Sequence, residues 1–201
     1  MKFKTLFTTY PVIVVYDTEF TTWEGAWERG WSGANEHREL VQIAAQKIDL
    51  QTGVVIDSFE RLVQPQINQE LSDYFVQLTG ITQVEVDKNG VLFADMLKDF
   101  LSWSSDCTRY AYGPSMHNAD ADAAVLQENV ELYGLHTFLD MEQFANVYHT
   151  FRLAGFDPAP LNSGRVFEYF DLQLDGHEHN AMFDVTSLVA SLFEMKRRMD
   201  S

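Results

Sequence analysis

Two carboxylates close an apolar run: Val12-Ile13-Val14-Val15-Tyr16-Asp17-Thr18-Glu19 reads as a β-branched strand that ends in acids. Along an extended chain the side chains alternate between faces, so Asp17 and Glu19 share one face and Thr18 takes the other. Two anions that close raise each other's pKa unless a cation lies between them, and a divalent ion with oxygen ligands is the usual partner. A strand that simply runs out into a loop with solvated acids has the same local pattern, so the pair needs support from elsewhere in the chain. Asp122 offers some. Over 119–133, Val125, Leu126, Val130 and Tyr133 mark the apolar face of a helix, and counting back three and four places from Val125 and Leu126 puts Asp122 on that face. Asp120 falls with Gln127, Glu128 and Glu131 on the wet face. An unpaired carboxylate against a core costs several kcal/mol, so Asp122 is protonated, capping its helix, or bound to something cationic. Asn118 or Asp120 is better placed to cap. His179 and Asp184 lie five residues apart, an offset that on one helix would turn them about 140° away from each other. His179 is therefore expected just before a helix and Asp184 in its first turns, both directed at one point; His177 is the rival imidazole.

Those side chains need elements to hold them. Glu39–Asp49 and Val54–Gln64 read as strands joined by a turn at Thr52-Gly53, making a three-stranded antiparallel meander with the first strand. A short helix over Ser72–Leu78 closes near Gly80, and Leu92–Trp103 has a helical period with one apolar face. Cys107–Tyr112 is expected as a fourth strand, Ala119–Tyr133 as a helix and Leu135–Asp140 as a fifth strand. Helices over Met141–Leu153 and Ser163–Phe170, separated by Gly155 and Pro158-Ala159-Pro160, precede a last helix from Asn180 to Arg198. Between the first two strands, Thr21–His37 is too glycine-rich for a helix; its Trp23, Trp27 and Trp31 form either a local hydrophobic cluster or a platform on which bases stack.

Composition narrows what such a site can serve. The 201 residues suit a single domain over 1–201, and 46% apolar with 13% aromatic residues excludes a disordered chain. No apolar run approaches the roughly 20 residues that span a bilayer, so no membrane partner is expected, and Thr8, Thr9 and Pro11 interrupt the apolar part of the Met1-Lys2-Phe3-Lys4 start. The sole cysteine, Cys107, is expected as a buried reduced thiol in a cytoplasmic protein. Fourteen Lys and Arg against 30 Asp and Glu give a net charge of −16, which argues against tight binding of long duplexes. The one basic run, Lys196-Arg197-Arg198, ends a helix, where cations complement the helix dipole. Contact with a nucleic acid would have to be short and held by metal.

With these residues in view, the chain resembles the DEDDh 3′-to-5′ exonucleases of the ribonuclease H-like superfamily, also called DnaQ-like. Asp17-Thr18-Glu19 is similar to the first motif, His117-Asn118-Ala119-Asp120-Ala121-Asp122 to the second, and His179-Asn180-Ala181-Met182-Phe183-Asp184 to the third in its H-x4-D form. Glu39-Leu40-Val41-Gln42-Ile43-Ala44-Ala45 and the stretch from Leu71 to Thr82 resemble the subgroup that trims histone-mRNA and small-RNA 3′ ends. The resemblance spans roughly Val12 to Lys196. It implies an α/β, ribonuclease H-like mixed five-stranded sheet, three antiparallel strands and then two parallel, flanked by helices. It also implies that Asp17, Glu19, Asp122 and Asp184 hold two divalent cations, Mg²⁺ or Mn²⁺, and that His179 is the general base. Phe20, Leu78, Thr79, Ile81, Met116 and Asn118 would contact the terminal nucleotide. The implied activity is hydrolysis of short single-stranded RNA or DNA from the 3′ end to nucleoside 5′-monophosphates. The alternative is a non-catalytic or proofreading-type nucleic-acid-binding subunit of a larger assembly.

Overall fold

In a computed structural model the described residues are 11–114 and 121–201; Met116, His117, Asn118 and Asp120 lie outside them. The first three strands are β1 (Val12–Phe20), β2 (Leu40–Asp49) and β3 (Val54–Leu62). They pair antiparallel in sequence order, and Gly53, at φ 71°, supplies the left-handed residue of the β2–β3 turn. Three helices follow: α1 (Asp73–Thr79), α2 (Gln83–Asn89) and α3 (Phe93–Trp103). Ser72 caps α1 by accepting the Phe75 N–H, and Gly80 closes it at φ 76°. Then come β4 (Arg109–Ala111), α4 (Ala121–Leu132), β5 (Phe144–Asn146), α5 (Val147–Leu153), α6 (Val166–Tyr169) and α7 (Ala181–Asp200). β4 runs parallel to β1 and β5 parallel to β4, giving one five-stranded sheet in the order β3-β2-β1-β4-β5.

The expected fold therefore stands, with local corrections. Leu135–Asp140 is irregular, and the fifth strand is Phe144–Asn146, inside what reads as one helix over Met141–Leu153. A 3₁₀ turn at Met141–Gln143 precedes that strand, and the Asn146 side chain accepts the Tyr148 N–H to start α5, so three short elements share a segment long enough for one helix. Ser163–Phe170 likewise divides into a 3₁₀ turn at Ser163–Arg165 and α6. The helix α2, opened by a capping box between Thr82 and Glu85, is an addition to the expected elements.

Helices cover both faces of the sheet. On one face Ile13, Val15, Ala44 and Ile48 pack against Val185, Leu188 and Leu192 of α7. On the other Val14, Tyr16, Ile43 and Ala45 meet Phe93, Met96, Leu97 and Phe100 of α3 and Val125 and Leu126 of α4. Full burial of each such aliphatic side chain contributes about 1.5–3 kcal/mol. The central strand β1 is thus clamped between α4 and α7, and the helices that carry Asp122 and Asp184 have their apolar faces fixed to it. Among the described residues no helix is long and apolar enough to cross a membrane.

Candidate active site

Asp17 and Glu19 lie near the C-terminal end of β1, both buried, with Glu19 paired opposite Gln42 of β2. The Gln42 side-chain oxygen accepts the Ala181 N–H at 3.0 Å, which ties the start of α7 to the strand beside Glu19. Asn180 caps α7 through the Phe183 N–H, and His179 precedes it with φ 65°. The helix start is thereby turned so that His179 and Asp184 converge as the five-residue offset requires. A carboxylate oxygen of Glu19, one of Asp184 and a ring nitrogen of His179 all lie within 4.8 Å of one another. His177 is exposed and borders Gly80 instead.

Asp122 arrives from the opposite face. It is buried on the apolar side of α4, where the helical period places it, and Thr18 holds its Oδ1 through both the backbone N–H, at 3.1 Å, and the hydroxyl. The strand's alternation explains the division of labour: Asp17 and Glu19 point one way, while Thr18 between them reaches the helix on the other.

Electrostatics show that the four carboxylates form one unit. Burial raises Asp17 well above the ordinary carboxylate range, and Asp184, Asp122 and Glu19 push it further. Glu19 is raised by the same burial and by Asp184 and Asp122. Burial carries Asp122 to about 6 against the Thr18 hydrogen bonds, and Asp184 to about 7 against the bonds from the Ser163 hydroxyl and the His179 backbone. Burial lowers His179, opposed by the neighbouring Glu178 carboxylate, so its ring is neutral at neutral pH. Asp184 Oδ1 is buried without a hydrogen-bond partner among the described residues. Buried anions of one sign with an open oxygen suit a hard divalent cation, and the donor set of carboxylates fits one.

Residues around Asp184 carry roles that sequence reasoning missed. The Ser163 hydroxyl donates to Asp184 Oδ2 at 2.9 Å and also reaches Asp17. A Cβ on the buried Gly164 would sit 2.5 Å from Asp184 Oδ1, so only glycine leaves room for that oxygen. The Asn162 amide donates to Glu178, whose Oε1 lies 3.7 Å from His179 Nε2. The only sequence signal was a Ser-Gly pair, which reads as a loop. Of the expected nucleotide contacts, Phe20 is half-buried beside Glu19 and Leu78 is half-buried on α1. Thr79 and Ile81 are buried, and the Thr79 hydroxyl donates to the Phe75 carbonyl and accepts the Ile81 N–H. Met116 and Asn118 are among the residues not described.

The exonuclease family model RNase_T matches residues 14–192. This chain belongs to the RNase_T exonuclease family. By family it is an exonuclease, and that membership implies divalent metal ions. Human 3′-5′ exoribonuclease 1 is 32% identical over 94 residues, covering 47% of this chain and 25% of the human protein. The Drosophila melanogaster 3′-5′ exonuclease Snipper is 24% identical over 203 residues, covering 94% of this chain and 70% of that protein. The chain spans 29% and 25% of the mouse and human exoribonucleases 1 that it matches. The nuclease domain of 3′hExo, a DEDDh family member bound to rAMP, superposes with a TM-score of 0.77 at 21% identity, covering 95% of this chain and 94% of that one. At that identity the likeness concerns the fold. The RNase_T match takes in Asp17, Glu19, Asp122, His179 and Asp184.

Proposed function

We propose that this RNase_T family member is a 3′-to-5′ exonuclease that shortens single-stranded RNA or DNA and releases nucleoside 5′-monophosphates. The observation that carries the reading is the buried group of four carboxylates with Asp184 Oδ1 left open and His179 at its rim. In it Asp17, Glu19, Asp122 and Asp184 would hold two Mg²⁺ or Mn²⁺ ions. Such ions, when bound, supply charge neutralisation at the phosphoryl group and a more acidic water. The rest falls to the chain. His179, kept neutral by burial, accepts the proton of the attacking water at a ring nitrogen. Thr18 fixes Asp122, and Ser163 fixes Asp184, so the carboxylates need little reorganisation during reaction. Phe20 and Leu78 offer apolar surface to the terminal base.

The test is a 5′-labelled short oligonucleotide, RNA or DNA, incubated with Mg²⁺ or Mn²⁺, with and without chelator. A ladder shortening from the 3′ end, abolished by chelator and by His179→Asn, is expected. No turnover of any short substrate with either metal would overturn the enzymatic reading in favour of a nucleic-acid-binding subunit.

A further inference from the structure

The segment between β1 and β2 lacks regular structure yet is firmly held. Arg29 pairs with both oxygens of Glu36 and donates to the Glu24 carbonyl at 2.8 Å, while Glu36 also accepts the Gly33 N–H at 3.0 Å. At its base Thr21 and Glu39 bond reciprocally, the Thr21 amide to the Glu39 carbonyl and the Glu39 amide to the Thr21 hydroxyl. This framework holds Trp27 outward, 76% exposed. A loop that only sealed a hydrophobic cluster would turn that ring in.

The exposed ring does not stand alone. Trp27 meets Trp31 edge-on at 5.7 Å, and Trp31 meets Phe20 at 5.6 Å. The Arg38 guanidinium lies 5.6 Å from the Phe20 ring and 5.3 Å from that of Trp31, and it is tied to Glu128 of α4. Its charge is also felt at Asp122. An aromatic line thus runs from the residue after Glu19 out to solvent. Beside it opens a cleft of about 650 Å³ lined by Trp31, His37, Arg38, Glu128 and Glu131.

We propose that this line is a stacking subsite for unpaired bases just upstream of the 3′-terminal nucleotide, with the exposed Trp27 ring as the platform and Trp31, held by Phe20 and Arg38, as its support. The inference rests on the exonuclease reading and deepens it. Charge identifies the occupant. Glu128 and Glu131 repel phosphate, and a chain of net charge −16 has little cationic surface with which to neutralise a backbone. A ring face accepts any base, so a base lies on Trp27 and the sugar–phosphate backbone stays in water. Trp31 separates Trp27 from Phe20, with successive ring centroids 5.6 and 5.7 Å apart, so the platform serves bases beyond the terminal one.

The experiment compares a dinucleotide with a single-stranded octanucleotide, using wild type, Trp27→Ala and Trp27→Tyr. Trp27→Ala is expected to raise the octanucleotide KM about tenfold more than the dinucleotide KM, with Trp27→Tyr restoring most of the loss. In parallel, the octanucleotide is titrated under chelator with tryptophan fluorescence as readout, and the quench seen in wild type is expected to be lost in Trp27→Ala. Equal KM changes for both lengths, or a quench that persists in Trp27→Ala, overturns the subsite while leaving the exonuclease reading intact. If wild type hydrolyses neither substrate, that reading fails and the fluorescence titration alone decides the platform.

Discussion

Glu39 and Asp184 are both buried carboxylates, 0% and 2% exposed, yet they sit in opposite kinds of surroundings. Glu39 immediately precedes β2 and is surrounded by donors: its Oε1 accepts the N–H groups of Gln66 and Ile67 at 2.8 Å and the Tyr133 hydroxyl at 2.6 Å, and its Oε2 accepts the Asn68 N–H. Asp184 has the Ser163 hydroxyl on Oδ2 and the His179 backbone N–H beside its carboxylate, while Oδ1 has no hydrogen-bond partner among the described residues and three more carboxylates lie nearby. Burial of charge therefore does not by itself mark a site. What separates the two is whether the protein supplies the counter-interactions or leaves them to a ligand.

Substitution separates the roles most sharply at Asp184. Asp184→Asn is expected to lower turnover by at least about 10³-fold, the several kcal/mol that a lost metal ligand withdraws, while thermal stability stays level or rises as like-charge repulsion is relieved. A melting temperature that collapses with activity would erase the distinction. Glu39→Ala is expected to do the reverse. Leaving buried N–H groups without an acceptor costs about 3–5 kcal/mol, a drop of roughly 10 °C in a chain of this size, with divalent-cation affinity by calorimetry unchanged in the protein that remains folded.

Smaller effects sharpen the picture around Asp184. Gly164→Ala and Ser163→Ala are expected to weaken divalent-cation binding about 10–100-fold, the first by crowding Asp184 Oδ1 and the second by freeing Oδ2. Calorimetric titration checks both, and wild-type affinity in Gly164→Ala would mean that Asp184 has another place to go. The gentlest probe is pH. Asp122 and Asp184 have folded values of about 6 and about 7 against an ordinary 3.8. A carboxyl raised in the folded state contributes stability below its ordinary value and loses that contribution as pH rises through the folded value. Under chelator the melting temperature is therefore expected to fall by several degrees between about pH 4 and pH 7, and Mg²⁺ or Mn²⁺ to restore it at neutral pH. A profile flat with pH under chelator would contradict the raised values of these buried carboxylates.

The sequence made the site more legible than the fold around it. Asp17, Glu19 and Asp122 betray themselves by breaking a pattern, acids where period 2 or 3.6 demands apolar or neutral residues, and α7 is long enough to be phased. The long β2 and β3 and their Gly53 turn are likewise plain. β5 is not, since three residues carry no measurable alternation and Phe144, Val147, Tyr148 and Phe151 mimic one helical face. α2 is quiet for a similar reason, with Val86 buried and Val84 73% exposed. Gly164 could not be found from sequence, because its importance lies in an atom it lacks.

His179 occupies left-handed backbone at φ 65°, directly before the residue that caps α7. The position thus has two duties, presenting a ring and bending the chain into the helix that delivers Asp184. Asparagine tolerates that geometry and removes only the imidazole, whereas a β-branched replacement would resist the bend and drag the carboxylate with it. Two variants of one residue can therefore report separately on proton transfer and on assembly of the anionic pocket.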